Sequence, residues 1–391
     1  MEKTARKYYE SAYIRDFAAV VLACEKVDAG WRILLDGTCF YPGGGGQPCD
    51  IGMLGGMQVV ECYAVDGFIW HIVEGDEPEF GVGDGIFGQV DFVRRFGFMQ
   101  NHTGEHLLSG LAKKRWGAVN VGFHMSERGF TMDLDVYLRS DAVMELERLA
   151  NKAVWEHVEV RTGIVQGEFL REMDVRSKKD FSAEDDVRLV DIAGYDVCAC
   201  AGLHVRNTVD VGIVKIVAAQ KYKGGIRLNV YCGLDAMWDY TRKNDILRRI
   251  SLLASAEVEK CTGAVEKMQD VNAELRKEIG MWKSRIFKMR TEQVAEDSAL
   301  VWFYEDDLDV EDMRRFADLV ARRARLAVIL SGQRYFVCAR DDAKGLQDFV
   351  RRFNEELGGK GGINNLVAQG VVSADLARVE EFLRAEKGDD E

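Results

Sequence analysis

Length, composition and charge restrict the class of protein. The chain has 391 residues, of which 47% are hydrophobic and 30% are charged, so it is long enough for two to four domains with separate cores. It contains no apolar run approaching the ~20 residues that a membrane helix requires. Its net charge of −13 argues against a surface that is basic throughout and binds nucleic acid indiscriminately.

Cysteine usage and the N-terminus indicate the compartment. Nine cysteines are scattered through the chain, and an odd, scattered set suits reduced thiols better than a disulfide framework. The charged N-terminal segment "MEKTARKYYESAY" lacks the apolar core of a secretory signal. We therefore expect a cytoplasmic protein without a membrane partner.

The first predicted domain, residues 1–95, is a small β-barrel-like unit. Short or alternating apolar segments are separated there by glycine-rich turns, as is typical of compact all-β domains. The segments are "AAVVLACEK", "WRILLDGTCF", "MQVVECYAV" and "FIWHIV".

The second predicted domain, residues 96–235, mixes helices and strands. Apolar residues alternate with polar ones in "FTMDLDV", which predicts a half-buried strand. The other predicted elements are a helix from His102 to about Trp116, a helix over 140–157, and the strands "IVKIVAA" and "IRLNVYC". This order predicts an α+β domain whose helices pack on an antiparallel sheet.

The third region, residues 236–296, has the spacing of a coiled coil. Residues that are apolar except for Asn272 recur every seven positions, with a second series three residues after the first. This spacing predicts long helices paired between two chains or folded back as a hairpin. The first series is Val258, Val265, Asn272, Ile279 and Ile286, and the second is Cys261, Met268, Leu275, Trp282 and Met289.

The last predicted domain, residues 297–391, is a small α/β unit. The segments "LAVILSG" and "YFVCARD" are predicted strands, and an apolar stripe predicts a helix that ends at Gly358. Ser373 is placed to cap a final helix. The chain as a whole is therefore expected to be α+β.

Two histidines four residues apart begin the predicted helix of the second domain. His102 and His106 in "HTGEH" would lie on one helix face, where both imidazoles can point at one ion. The motif is not that of the metalloprotease helix, because Thr103 stands where glutamate is required. The pair alone is also compatible with two ordinary hydrogen-bonded histidines.

A second pair with the same spacing lies about ninety residues further on. Cys200 and His204 in "CACAGLHV" complete a set of three histidines and one thiolate, which predicts a site for one Zn²⁺ ion per chain. Cys198 is a rival ligand that we interpret as a packing residue. Four protein ligands fill a tetrahedral zinc site, which is usual for structural ions, and the sequence leaves a structural or a catalytic role open.

Three motifs together resemble the alanyl-tRNA editing family, which comprises the editing domain of alanyl-tRNA synthetases and the freestanding AlaX proteins. "FYPGGGGQPCDIG" resembles the glycine-rich signature of the family, "HTGEHLLSG" its first zinc half, and "CAGLHVRNTVDVGIVKI" its second. In the last domain, "GGKGGINNLVAQG" is similar to the C-terminal domain of alanyl-tRNA synthetases, although "INNL" departs from the usual run. This arrangement is that of the long AlaX form.

The resemblance implies an activity. It implies hydrolysis in trans of the ester in mischarged alanine tRNA, chiefly with serine and secondarily with glycine. Since the zinc-bearing region begins within the first hundred residues, we expect no aminoacylation domain ahead of it. The resemblance also implies a homodimer formed through the coiled coil and the C-terminal domain.

Candidate catalytic residues are small or ionisable groups close in sequence to the zinc motifs. Thr103, Asn120 and Gln47 are candidates to hydrogen-bond the serine hydroxyl, and such a bond would reject alanine. Glu105 is a candidate general base through water; the alternatives are a solvated residue or a partner of a zinc-bound histidine.

Candidate tRNA contacts are glycines and basic residues. Gly44 and Gly45 would let the backbone approach a ligand, or would simply form a turn between barrel strands. A basic cluster at the end of the predicted helix, together with a lysine of the C-terminal domain, would attract the phosphate backbone. These basic residues are Lys113, Lys114, Arg115 and Lys360.

Two other functions remain open at this point. One is a zinc-stabilised protein that binds tRNA without catalysis. The other is an editor of a different mischarged tRNA, such as threonine tRNA, and the glycine-rich C-terminal segment favours alanine tRNA over it.

Overall fold

The structure is a computed structural model, and it describes residues 2–177 and 180–388. The protein is mixed α and β, as the sequence predicted. It forms two compact units, Met1–Arg248 (unit 1) and Arg249–Glu391 (unit 2), and the boundary falls within one helix. Among the helices of the described residues, none has both the length and the apolarity needed to cross a bilayer.

Unit 1 begins with a closed β-barrel. The six barrel strands follow one another in the order β2-β3-β7-β6-β5-β8, and two short strands, β1 and β4, pair in parallel beside them. Strand burial alternates, as in β8, because every second residue points into the barrel. The elements are β1 (Ala5–Arg6), α1 (Lys7–Glu10), β2 (Asp16–Val27), β3 (Gly30–Leu35), β4 (Gly37–Thr38), β5 (Gly52–Leu54), β6 (Met57–Val65), β7 (Phe68–Glu74) and β8 (Gly85–Val90).

The helix that carries the histidine pair, α2 (Phe92–Trp116), is longer than predicted. The Asp91 side chain accepts a hydrogen bond from the Arg94 backbone N–H at the N-terminus, and Gly117 ends the helix in the left-handed conformation with φ of 65°. The predicted end near Trp116 is confirmed, but the predicted start at His102 is wrong. In the first turns, charged residues are interspersed among apolar ones, so the helical periodicity of the apolar residues is obscured in the sequence.

Two antiparallel sheets and two helices complete unit 1. The four-stranded sheet has the order β14-β15-β10-β9 and the three-stranded sheet the order β11-β12-β13. The second sheet was not predicted, because most of β11 is exposed and shows no apolar alternation. The elements are β9 (Asn120–Met125), β10 (Phe130–Leu134), α3 (Ser140–Trp155), β11 (Val160–Gln166), β12 (Asp186–Ile192), β13 (Asp196–Ala199), β14 (Val214–Tyr222), β15 (Gly225–Cys232) and α4 (Gly233–Ala254).

Unit 2 contains a long helix and a small α/β domain. Its five-stranded sheet has the order β16-β17-β18-β20-β19, with β16 and β17 parallel and the other pairs antiparallel. The elements are α5 (Cys261–Glu292), β16 (Ser298–Tyr304), α6 (Val310–Val320), β17 (Ala324–Ser331), β18 (Arg334–Ala339), α7 (Ala343–Leu357), β19 (Lys360–Asn364), β20 (Val367–Val371) and α8 (Leu376–Lys387).

One predicted helix cap in unit 2 is confirmed and another is wrong. Gly358 ends α7 with a φ of 63°, as predicted. The cap of α8 is Asp375, whose carboxylate accepts from the backbone N–H of Arg378 at 2.9 Å, and not Ser373. Ser373 instead donates its hydroxyl hydrogen to the carbonyl of Gly358, 3.1 Å away. Asp375 stands immediately before the first helical residue, which is the position that an N-cap occupies.

Candidate metal centre

The two motif halves converge on one point in unit 1. His102 and His106 lie on α2, and Cys200 and His204 lie on the loop after β13. One side-chain nitrogen or sulfur atom from each of the four residues lies within 4.8 Å of the others. The Cys200 Sγ atom is 3.4 Å from Nε2 of His102 and 3.5 Å from Nε2 of His204.

Each of the three imidazoles is contacted on its Nδ1 side by a different residue. These contacts leave the Nε2 atoms facing Cys200, and partners of this kind orient histidine ligands around a metal. The pairs are His102 Nδ1 with Gln47 Oε1 at 2.9 Å, His106 Nδ1 with Asp196 Oδ2 at 3.0 Å, and His204 Nδ1 with Thr103 Oγ1 at 3.1 Å.

The partners of His102 and His204 also fix the cysteine loop. Gln47 Oε1 accepts the backbone N–H of Leu203 at 3.0 Å, and Thr103 Oγ1 accepts that of Val205 at 3.2 Å. Gly202 lies between the two ligands of this loop, where a Cβ atom would stand 2.1 Å from Cε1 of His102. Glycine therefore lets the loop approach α2 closely enough to bring the four groups together.

The donor set fits a zinc ion. Three imidazole nitrogens and one thiolate are ligands that Zn²⁺ prefers, and four of them can complete a tetrahedral shell. Because the other ring nitrogen of every histidine already has an oxygen partner, the orientation needed for a metal is built into the fold. The residue types and their orientation therefore fit the predicted zinc ion.

The two neighbouring cysteines differ in acidity. Burial by itself raises the pKa of the Cys200 thiol, but the neighbouring His102 imidazole and hydrogen bonds from the three imidazoles outweigh it and hold the pKa well below its usual value. Burial raises the pKa of the Cys198 thiol far above its usual value. Cys200 is thus the more acidic thiol of the pair, and a thiol with a lowered pKa is the better metal ligand.

His106 lies between two carboxylates. Burial favours the neutral imidazole, but contact with Asp196 and then with Cys200 and Glu105 raises the pKa of His106 to about 9. In turn the His106 contact and the Arg176 guanidinium lower the pKa of Asp196 despite its burial. Arg176 contacts this carboxylate through two hydrogen bonds, of 3.1 and 2.7 Å.

Glu105 is buried in a polar network and is not a solvated helix residue. Burial raises its pKa, but the Arg176 guanidinium and neighbouring histidines outweigh that effect and lower it. Its Oε1 atom accepts hydrogen bonds from Ser109 Oγ at 2.5 Å, Asn120 Nδ2 at 2.6 Å and Arg176 Nη1 at 3.3 Å. The predicted catalytic candidates Glu105 and Asn120 thus contact each other directly.

A cavity of about 780 Å³ opens beside the cluster. That volume is in the range of sites for small molecules or parts of larger ligands. His102, His106, Cys200, Glu105 and Arg176 line one part of it, and further walls include Gly45, Phe123, Ile164, Arg6, Tyr9 and Arg188. The ring of Phe123 stacks on His102 with 5.3 Å between ring centres.

The glycine-rich loop approaches the cluster and is anchored to α2. Gly44 and Gln47 exchange two backbone hydrogen bonds of 3.0 Å, and Gly45 reaches the cavity. Asp50, at the end of the loop, forms a fully buried ion pair with Arg95 of α2. Arg95 also donates to the carbonyls of Ile14, at 2.9 Å, and Cys39, so this one side chain joins the barrel to the helix.

The proposed basic contacts lie outside the cluster. The three basic residues at the end of α2 are each engaged within the chain, and Lys360 is exposed on β19. Their contacts are Lys113 with Asp174 at 2.8 Å, Lys114 with the carbonyl of Gly194 at 2.5 Å, and Arg115 with Glu145 at 3.1 Å. The ion pairs of Lys113 and Arg115 are exposed, and exposed pairs break at little cost.

Sequence reasoning missed the residues that support the ligands. Asp196, Arg176 and Arg95 are charged residues in segments without a motif, and only their ion pairs in the structure show their role. Gly202 carried a signal, because a glycine between two ligands indicates close backbone approach. The other three carried no comparable local signal.

Part of the chain matches a known family of protein domains. Residues 187–251 match the family described as the threonyl and alanyl tRNA synthetase second additional domain. That stretch contains Cys200 and His204, the second half of the cluster.

Full-length comparisons extend the similarity to most of the chain. The chain is 27% identical to the alanyl-tRNA editing protein AlaX-L of Pyrococcus horikoshii, over 94% of this chain and 95% of that protein. It is 29% identical to the alanine–tRNA ligase of Pyrococcus furiosus and 28% identical to that of Methanosphaera stadtmanae, over 98% of its own length in each case. It spans only 43% and 45% of those two ligases. The predicted resemblance to alanyl-tRNA editing proteins of the long AlaX form is confirmed.

Proposed function

We propose that this protein is a trans-editing aminoacyl-tRNA hydrolase that removes serine, and more slowly glycine, from mischarged alanine tRNA in the cytoplasm. The observation that carries the proposal is the convergence of His102, His106, Cys200 and His204 at the wall of a cavity. The similarity to AlaX-L over nearly the whole of both chains supports alanine tRNA as the substrate.

The cluster would hold one Zn²⁺ ion per chain. Bound there, Zn²⁺ would supply Lewis-acid polarisation of the ester carbonyl. The chain itself fixes the three imidazoles through Gln47, Asp196 and Thr103. Such preorganised contacts act without further rearrangement when charge develops on the ester.

The cavity walls would position the ester. Phe123 stacks on His102 and provides an apolar surface beside the cluster, while the backbone of Gly45 allows close approach on another side. An aminoacyl ester is already reactive, so orientation together with one favourable electrostatic contact accounts for a large share of the acceleration. Gly44 supports this loop through its paired backbone hydrogen bonds with Gln47.

Gln47 is the best supported of the three candidates to recognise the serine hydroxyl. Among the described residues its Nε2 atom is buried without a hydrogen-bond partner, and a buried amide without a partner gains most from a ligand that supplies one. The Nδ2 atom of Asn120 already donates to Glu105 and Ser109, and the hydroxyl of Thr103 already contacts His204. Alanine lacks the hydroxyl and would leave the amide unpaired.

The basic residues would bind the tRNA backbone. Lys113, Lys114 and Arg115 form a positive surface at the end of α2 in unit 1, and Lys360 lies on β19 of unit 2. Their present partners are exposed carboxylates or a carbonyl, which phosphates can replace.

The exposed face of α5 would bind a second copy of the chain. Apolar seam residues remain exposed along this helix, including Met268 at 58%, Leu275 at 51% and Trp282 at 53%. Seven-residue spacing of this kind is satisfied when two helices bury their seams against each other. A homodimer through α5 and the C-terminal domain is therefore part of the proposal.

The central test uses the full chain and three substrates. Serine, glycine and alanine are each esterified to alanine tRNA, and their release by the purified protein is timed. We expect fast release of serine, slower release of glycine and little release of alanine. Equal rates for the three would refute the selectivity, and no release by protein with measured zinc content would refute the activity.

A variant separates catalysis from tRNA binding alone. Cys200→Ala that still folds and binds tRNA but no longer releases serine would support the enzyme. Loss of folding together with zinc, measured by circular dichroism and elemental analysis, would instead assign the ion a structural role. Serine release from threonine tRNA faster than from alanine tRNA would assign a different substrate.

A further inference from the structure

One carboxylate oxygen of Glu105 accepts no hydrogen bond from the described residues and lies beside the candidate metal ligands. Its Oε1 atom accepts all three of the hydrogen bonds described above, from Ser109, Asn120 and Arg176. Among the residues that the structure describes, none donates a hydrogen bond to Oε2, which is 3.7 Å from Nε2 of His106. Glu105 lines the cavity, so Oε2 is suited to a donor that a ligand brings there.

The network fixes the direction of this oxygen. The three donors come from different parts of unit 1: Ser109 from α2, Asn120 from the start of β9, and Arg176 from the segment beside β13. Arg176 is itself held by its two hydrogen bonds to Asp196. The carboxylate therefore cannot turn Oε2 away from its present direction without losing several hydrogen bonds, which preorganises it for binding.

We infer that Oε2 of Glu105 accepts a charged hydrogen bond from the α-ammonium group of the esterified amino acid. The enzyme would then be restricted to aminoacyl esters with a free amine. This inference rests on the proposed function, because it takes the ester carbonyl to lie at the cluster. The α-nitrogen is two bonds from the carbonyl carbon, so a carbonyl placed at the cluster would bring it within reach of Oε2, which is 3.7 Å from Nε2 of His106.

The distribution of charge around the cavity agrees with this assignment. Glu105 is buried, whereas the other carboxylate in the described lining, Asp186, is exposed and accepts a hydrogen bond from Gln166. Arg6 and Arg188 line other parts of the cavity. An aminoacylated nucleotide carries a positive amine at one end and negative phosphates at the other, which matches this separation.

Two pairs of compounds test the inference. The first pair is Ser-tRNA(Ala) and the same tRNA esterified with 3-hydroxypropanoate, which keeps the hydroxyl and lacks the amine. The second pair is 3′-L-serylamino-3′-deoxyadenosine, which is not hydrolysed as an ester, and its N-acetyl derivative. Wild type, Glu105→Gln and the control Asp186→Asn are compared, with zinc content and melting temperature measured for each.

We expect wild type and Asp186→Asn to hydrolyse the serine ester about 10- to 100-fold faster than the ester without the amine, as loss of a charged hydrogen bond predicts. In Glu105→Gln that preference falls to within about threefold. Calorimetry should show the same pattern in the dissociation constants of the two adenosine compounds, a measurement that does not depend on turnover.

Two outcomes overturn the inference. If Glu105→Gln slows both esters by the same factor and binds both adenosine compounds as wild type does, Glu105 acts as a base or as a structural residue. If wild type itself prefers neither compound of either pair, the amine is not recognised. Failure of the proposed function is a separate result, because wild type would then hydrolyse neither ester.

Discussion

Helices α2 and α5 are both long, but α2 buries polar side chains whereas α5 exposes apolar ones. In α2, 15 of 25 residues are buried, and they include polar and charged side chains such as Arg95, His102 and Glu105. In α5, which has 32 residues, the buried ones are Cys261, Phe287 and Thr291, and most apolar side chains face outwards.

The difference shows what each helix requires from its surroundings. Buried polar groups are stable only with partners, and every ionisable group of α2 named above has one in unit 1. Exposed apolar seams gain stability when covered. The C-terminal end of α5 is covered by α6, where Phe287 stacks on Phe316 with ring centres 4.5 Å apart. The seam residues Met268, Leu275 and Trp282 have no such cover among the described residues.

The largest expected effect comes from removing the buried cation of α2. Arg95→Met leaves Asp50 as an unpaired carboxylate that is 1% exposed, and loss of one partner of a buried pair costs about 3–5 kcal/mol in the free energy of unfolding. Arg161→Met, at an ion pair whose two side chains are 69% and 64% exposed, should cost about 0–1 kcal/mol. Urea denaturation measures both, and similar losses would contradict the distinction.

A smaller effect is expected where α2 meets the cysteine loop. Gly202→Ala places a Cβ atom 2.1 Å from Cε1 of His102, so the loop must move away and zinc affinity should fall about 10- to 100-fold. Gly163→Ala is the control, because its Cβ would meet nothing within 4 Å. Competition with a coloured chelator measures the affinity. Wild-type affinity in Gly202→Ala would show that the loop is not tightly fitted.

Two glycines of α2 differ in how closely the rest of the chain packs against them. A Cβ at Gly110 would lie 2.2 Å from the carbonyl oxygen of Tyr195, whereas at Gly97 it would meet nothing within 4 Å. Gly110→Ala should destabilise by about 1–3 kcal/mol, and Gly97→Ala should stabilise by about 0.5–1 kcal/mol through helix propensity. Thermal and urea unfolding give the two signs, and a stabilising Gly110→Ala would contradict the close packing.

The smallest effect on stability is expected in α5, together with a change in association. Leu275→Glu puts a charge on the exposed seam and should weaken dimerisation at least about tenfold. The free energy of unfolding, compared between chains in the same association state, should change by less than about 0.5 kcal/mol. Lys277→Glu lies on the helix face opposite the seam and should leave the dimer intact. Analytical ultracentrifugation distinguishes the two. A wild-type monomer would refute the proposed dimer.

Local patterns determined the ligand pairs and many of the elements. Spacing of four residues placed His102 and His106 on one face, alternation identified β10, and the end of α7 followed from Gly358. These features depend on the geometry of a few neighbouring residues, and that geometry is the same in any protein. The matched spacing and residue types of the two pairs linked them into one predicted zinc site, and the resemblance of the motifs then added the expected activity.

Tertiary structure alone decided which residues support those ligands. Asp196 and Gln47 are distant in sequence from the histidines that they contact, and no sequence pattern marks Arg176 as the partner of Asp196. The start of α2 and the sheet formed by β11, β12 and β13 were likewise decided by long-range packing. A local sequence pattern reflects the periodicity of one helix or strand. A contact between distant residues depends instead on how the whole chain packs, and a short segment does not determine that packing.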